Sequence, residues 1–195
     1  MEIEFEPASK RDRMLRAILP THALRVVVAT TTGLAAEAAS RHGAVGGPAA
    51  ALARGATAGL LLATLTKDEE RITVELNGDG PFGALLVDAN AKGEVRAYIK
   101  NPHIVTVVMP NSHVGLGAAM GRTGTVRVAR DLGLRETVTG QTPFVDGEID
   151  TDLESYLARS EQVPSVLSCE ALFDVGLEVA RAGGVLFQTD RKSVV

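Results

Sequence analysis

Gly115-Leu116-Gly117-Ala118-Ala119-Met120-Gly121 spells G-x-G-x-x-G, the spacing that lets a pyrophosphate approach a helix N-terminus. That chemistry needs a strand before the glycines and a helix after them. Here Pro110 interrupts the preceding apolar run, and Arg122 to Val128 reads as a turn followed by a strand. The context fails, and the segment is expected to be a flexible glycine loop rather than a cofactor cradle. Asp146, Glu148, Asp150, Asp152 and Glu154 have the composition of a calcium loop, but Thr151 stands where the loop requires Gly and Leu157 where it requires Glu. Helix capping accounts for these acids instead: Thr151 followed by Glu154 matches a capping box, and carboxylates suit a helix N-terminus.

Other chemistry is equally unassembled. His22, His42, His103 and His113 have no i, i+4 partner, and one cysteine cannot supply a zinc-ligand spacing. Cys169 lies in the β-type run Val166-Leu167-Ser168-Cys169 and is expected to be a small buried apolar residue. Neither G-x-x-x-x-G-K-[ST] nor G-x-S-x-G occurs. No catalytic, cofactor-binding or metal-ligating residue is assigned, and the chain is not expected to be an enzyme. A cleft gathering His103 or His113 with carboxylates would reopen that option.

The elements that would position a binding surface are easier to read. Pro48 to Thr66, rich in Ala and Leu, predicts a helix with Pro48 in its first turn. It is apolar nearly all round, so it is buried on more than one face. Gly55, Gly59 and Ala63 form a stripe without bulk, and Leu61 and Leu65 a bulkier one beside it. Such a rod fits between two layers, one approaching closely. Arg54 is the misfit; it must snorkel out or find an acid.

Beyond it the period changes to two. Arg71 to Leu76 alternates, Asn77 to Pro81 is a turn, Phe82 to Ala89 and Glu94 to Lys100 are further strands, and Thr125 to Ala129 alternates again. This predicts an antiparallel meander with one face in and one wet. Ile104 to Met109 reads as another β run. A helix follows from Thr151 to about Ser160, and Ser165 to Val175 and Gly184 to Thr189 read as final strands. Helices and strands are segregated, so the class is α+β.

The 195 residues are 45% hydrophobic and 23% charged, the composition of one ordinary globular domain. A formal net charge of −4 argues against general nucleic-acid binding. The local cluster Lys10, Arg11, Arg13 and Arg16 is expected to be the wet face of a short N-terminal helix. Met1 to Glu6 lacks an apolar signal segment, and the run Ala56 to Leu65 is too short to span a bilayer. With a lone cysteine, these features predict a cytoplasmic protein that does not act at a membrane.

Leu60 to Leu65 leads to Leu76-Asn77-Gly78-Asp79-Gly80-Pro81, and further on stand Asp131 to Leu134, Gly147-Glu148-Ile149, Asp152-Leu153, Tyr156, Ser160-Glu161-Gln162, Pro164-Ser165 and Ala182 to Gln188. Together these segments resemble the N-terminal domain of the redox-regulated heat-shock holdase family, the 33 kDa chaperonins. The resemblance implies a three-layer β/α/β sandwich of largely antiparallel sheets around a buried central helix. It also implies an ATP-independent chaperone that holds unfolding client proteins, and a homodimer formed by exchange of a chain end. The expected organisation is one core domain over residues 1–190 and a polar tail over 191–195.

That family carries a C-terminal zinc domain with four cysteine ligands as its redox switch. With Cys169 alone, the zinc, the switch and the linker cannot be carried over. Either the chain is a piece of a longer protein or it has lost the switch, and holding is expected not to depend on oxidants. The client surface is not legible; Ile104 to Met109 and Gly115 to Gly121 are candidates, the former equally readable as a core strand. The alternative function is a degenerate paralogue acting as a partner-specific dimeric binding module.

Overall fold

The computed structural model describes residues 12–19, 21, 23–66, 70–106, 112–133 and 137–189. Two antiparallel sheets enclose a helix. In chain order the elements are β1 (Arg13–Leu19), β2 (Leu24–Thr30), α1 (Thr32–His42), α2 (Gly47–Ala63), β3 (Arg71–Gly78), β4 (Ala84–Asn90), β5 (Val95–Ile99), α3 (Gly117–Met120), β6 (Gly124–Asp131), β7 (Val138–Pro143), α4 (Ile149–Arg159), β8 (Ser165–Phe173) and β9 (Val179–Thr189). Sheet A has the order β1-β2-β9-β8, and sheet B the order β5-β4-β3-β6-β7.

The central helix α2 is buried along its whole length, with Pro48 in its first turn as the sequence predicts. It packs on β3, β4 and β5 of sheet B and on β2, β8 and β9 of sheet A. Its small-residue stripe faces sheet B: a Cβ on Gly55 would lie 2.7 Å from Leu85 Cδ2, and one on Gly59 2.4 Å from Val87 Cγ1. Glycine therefore sets how closely β4 approaches the rod. On the other flank, Thr57 Oγ1 lies 2.6 Å from Thr31 Oγ1 at the end of β2. The α+β class and the sandwich around a buried helix are as expected.

Sheet B follows the alternation read from the sequence. Ile72, Val74 and Leu76 are buried against α2, while Arg71, Thr73 and Glu75 face outward. Its outer face carries the largely polar cross-strand row Arg96, Asp88, Thr73, Ala129 and Thr139, with Leu86 and Tyr98 exposed in the next row.

Three expectations are corrected. Arg13 and Arg16 lie in strand β1, not in a helix, because β1 pairs with β2 over its full length; Lys10 and Arg11 lie outside the described residues. Thr151 and Glu154 do not form a capping box. The helix begins at Ile149, so Thr151 sits inside its first turn, and no side chain caps it. Residues 104–106 are not strand, and 107–109 lie outside the described residues. The Ala-rich helix α1 and strands β2 and β7, unread in the sequence, complete the layers.

Candidate functional site: an apolar sheet face beside a buried charge cluster

The glycine segment is the first candidate the structure redefines. Leu116 and Met120 are in the core, and Gly117 to Met120 is a short helix. A Cβ on Gly117 would lie 2.7 Å from the Asp146 carbonyl oxygen. Its neighbours are packed too: one on Gly147 would lie 2.3 Å from the carbonyl oxygen of Gly121, and one on Gly80 2.4 Å from that of Ala119. Glycine serves close backbone packing here, so the segment is tight rather than flexible.

Beside it lies Arg54, 2% exposed. Its Nη1 donates to the Val114 carbonyl at 3.0 Å and to Glu148 Oε2 at 3.0 Å, and Nη2 lies 3.4 Å from Asp150 Oδ2. The sequence required an acid or a way out; the structure supplies two acids. Glu148 Oε1 also accepts the amides of Leu116 and Gly117. Burial pushes the Asp150 carboxyl above the usual carboxylate range, against the opposing pull of Arg54 and of the Cys169 amide.

The acidic run is thus neither a calcium loop nor a helix cap. Asp150 and Glu154, one turn apart on α4, accept the amides of Cys169 at 2.9 Å and Leu167 at 2.7 Å. Those amides are alternate ones on β8, the edge strand of sheet A. A helical turn of i, i+4 spacing rises about 6 Å and two strand residues about 6.7 Å, so the two spacings match. The helix closes that sheet edge with carboxylates. Asp152, fully buried, accepts the amides of Val145 and Asp146 at its own turn.

His42 bonds to the Ala38 carbonyl, and His113 pairs with Glu170; His22 lies outside the described residues. Cys169 is buried, and burial, then the Asp150 charge, pushes its thiol well above the ordinary range. Among the described residues no three His, Cys, Asp or Glu side chains gather to hold a metal ion. A four-cysteine zinc site cannot be built from the one cysteine present.

The outer face of sheet A is where the molecule departs from ordinary sheet design. The register aligns Leu15, Val28, Val185 and Ser168 in one row, and Ala17, Val26, Phe187 and Val166 in the next. Leu15 is 70% exposed, Val166 57%, Val28 43% and Phe187 37%. A solvated sheet face normally carries polar residues, as the row through Thr73 on sheet B largely does. A contiguous apolar face of this kind is a candidate docking surface. The signal was available in the sequence: Val26-Val27-Val28 and Val185-Leu186-Phe187 are unbroken apolar triplets, which put apolar side chains on both faces of a strand.

Of the two candidate client segments, the glycine segment buries its large side chains, as above. Within residues 104–106, Val105 is 95% exposed and Ile104 packs on the core. Neither forms the apolar face.

An α+β sandwich with a closed core and one greasy outer sheet has the build of a protein-binding domain. The chain belongs to the Hsp33 family, whose model, described as Hsp33 protein, matches residues 12–189. It is 38% identical to the 33 kDa chaperonin of Geobacillus kaustophilus, over 91% of this chain and 60% of that protein. With the 33 kDa chaperonin of Bacillus subtilis it shares 40% identity, over 91% of this chain and 61% of the relative. The crystal structure of the 33 kDa chaperonin of Thermotoga maritima superposes with a TM-score of 0.82 at 30% identity, covering 93% of this chain and 62% of that one. The chain thus spans about 60% of the length of these relatives. The relatives it matches are named 33 kDa chaperonins.

Proposed function

We propose that this chain is the client-holding core of an ATP-independent chaperone, and that it captures apolar segments of unfolding proteins on the outer face of sheet A. The observation that carries the reading is the pair of exposed apolar rows through Leu15, Val28 and Val185 and through Val26, Phe187 and Val166. Burying a Val, Leu or Phe side chain contributes roughly 1.5–3 kcal/mol, so a few such contacts hold a client segment. Capture is a binding equilibrium that lowers the concentration of free unfolded chain, so no nucleotide is required. The reading includes a cytoplasmic setting and a homodimer. Among the described residues no helix is long and apolar enough to cross a membrane.

The test is light scattering from a heat-denatured client protein, with and without the purified chain and with and without reductant. The expected result is suppression of scattering that is the same in both redox conditions. Suppression only after oxidation would overturn the oxidant-independent part. A pull-down returning one stoichiometric partner, with no protection of generic clients, would replace the reading by that of a partner-specific binding module.

A further inference from the structure

The two edges of sheet A are treated differently. On β8 the outward amides of Leu167 and Cys169 are taken by Glu154 and Asp150. On β1 the Arg13 amide donates toward β2, to Thr30 Oγ1 at 3.1 Å. Amides alternate sides along a strand, so those of Met14, Arg16 and Ile18 point away from β2. Sheet A ends at β1, and no backbone partner meets that edge among the described residues. The apolar rows run out to it: Leu15 lies on the outer face and Ile18, 58% exposed, on the other.

The charge of three of the four strands of sheet A is one-sided, for Glu170 lies on the far strand β8 and Asp12, ahead of β1, is taken by the Gly33 and Leu34 amides. Strands β1, β2 and β9 carry Arg13, Arg16, Arg25 and Arg181 and no Asp or Glu, in a chain whose net charge is −4. None of the four pairs with a carboxylate among the described residues.

We infer that the outer edge of β1 takes an extended client segment as an added strand, and that Arg16, on the opposite face of the strand from Leu15 and Ala17, selects segments in which apolar residues alternate with acidic ones. This rests on the client-holding reading and names the class of segment held. Alternating outward amides and carbonyls at strand spacing are matched by an extended polypeptide backbone, whereas a lipid surface offers acceptors to the amides but no donors in register with the carbonyls. A single-stranded nucleic acid would want stacking aromatics, and Phe187 is the one aromatic side chain in the two rows. A second copy of β1 would bring the arginines of two chains to one seam, which like charges disfavour. A strand with apolar residues on one face and acidic ones on the other satisfies the backbone, the apolar rows and the Arg16 guanidinium together.

The experiment is fluorescence anisotropy of labelled peptides titrated with the intact chain. One peptide alternates Val with Glu, a second has Lys for Glu, and a third is the first N-methylated at alternate residues along one edge, made in both registers. The Glu peptide is expected to bind at least about 10-fold more tightly than the Lys peptide at low salt. N-methylation in the register that faces β1 is expected to abolish binding. The variant Arg16→Glu should reverse the preference, while Arg96→Glu on the outer face of sheet B leaves it unmoved. Equal binding of the Glu and Lys peptides, or full binding of both N-methylated peptides, overturns the inference. So does an Arg16→Glu variant that changes the sedimenting mass but not the peptide preference, since β1 then serves a second copy. If the peptides fail while heat-denatured clients are still held, the strand-addition inference falls and the holding function stands. If neither is held, the holding function itself falls.

Discussion

Arg54 and Asp150 meet with Nη2 3.4 Å from Oδ2, and the same carboxylate oxygen accepts the Cys169 amide at 2.9 Å. One carboxylate therefore joins the central helix, the start of α4 and the edge strand of sheet A. Two orphaned atoms, Arg54 Nε and Asp150 Oδ1, sit in the same cluster. Such a cluster fixes how three elements sit together more than it adds stability, because removing charges from water offsets most of the attraction gained.

Truncating one partner is different. In Arg54→Met the guanidinium goes while Glu148 and Asp150 stay in a largely buried site. A loss of about 3 kcal/mol of unfolding free energy is expected. Adding Glu148→Gln and Asp150→Asn to the same chain should recover most of it. Urea denaturation of the single and triple variants measures both, and a triple variant no more stable than the single one would refute this account.

Acid should favour this site. Burial raises the folded-state pKa of Asp150 above its ordinary value, so between the two values the folded protein binds more protons than the unfolded one. The contribution of Asp150 to stability is then largest below the unfolded pKa and declines as pH rises through the folded one. Relative to Asp150→Asn, the unaltered chain should gain stability as pH falls from neutrality toward 4. Urea midpoints of the two chains across that window test the sign, and a relative loss on acidification would reverse it.

The rod, the sheet B meander and α4 were legible because each depends on local pattern: a nearly all-apolar Ala/Leu run, alternation such as Ile72-Val74-Leu76, and acids ahead of an amphipathic turn. What was not legible depends on partners distant in sequence. Nothing near Arg13 and Arg16 says that Leu15 will lie opposite Val28, so their basic cluster read as a helix face. Thr151 and Glu154 had the right spacing for a cap, yet Glu154 is committed to the Leu167 amide on another element. Gly117 read as loop freedom, whereas it marks where two backbones touch. The apolar face needed the register of four strands, although the triplet Val26-Val27-Val28 hinted at it.

Close packing of β4 on α2 makes a further expectation specific. In an exposed helix, Gly59→Ala would stabilise by about 1 kcal/mol. Here the new methyl would lie 2.4 Å from Val87 Cγ1, and a β-branched side chain has few rotamers with which to move away. A net destabilisation of about 1–3 kcal/mol is expected. Combining it with Val87→Ala should cost less than the sum of the two single changes, a coupling that a double-mutant cycle reads directly.

Cys169 should be inert while the chain is folded. Its thiol is buried and held protonated, and the thiolate is the reactive form. A thiol reagent is expected to label it slowly in buffer and quickly in denaturing urea. Rapid labelling of the folded chain would show that β8 opens at the Asp150 clip.

The holding surface can be separated from the fold by changing only outward-facing side chains. Phe187 and Val166 are cross-strand partners on the outer face of sheet A, both with substantial exposure. Replacing both by Ser should alter the unfolding free energy by no more than about 1 kcal/mol, the scale of a cross-strand pair. The same double change removes two apolar contacts from the proposed client face and should weaken suppression of client aggregation several-fold. Leu86→Ser, on the outer face of sheet B, removes a comparable exposed side chain elsewhere and should leave suppression unchanged. Light scattering with each variant at equal concentration makes the comparison. If Leu86→Ser impairs holding as much as the sheet A pair, the client is not held by that face, and if neither does, exposed sheet surface is not what captures it.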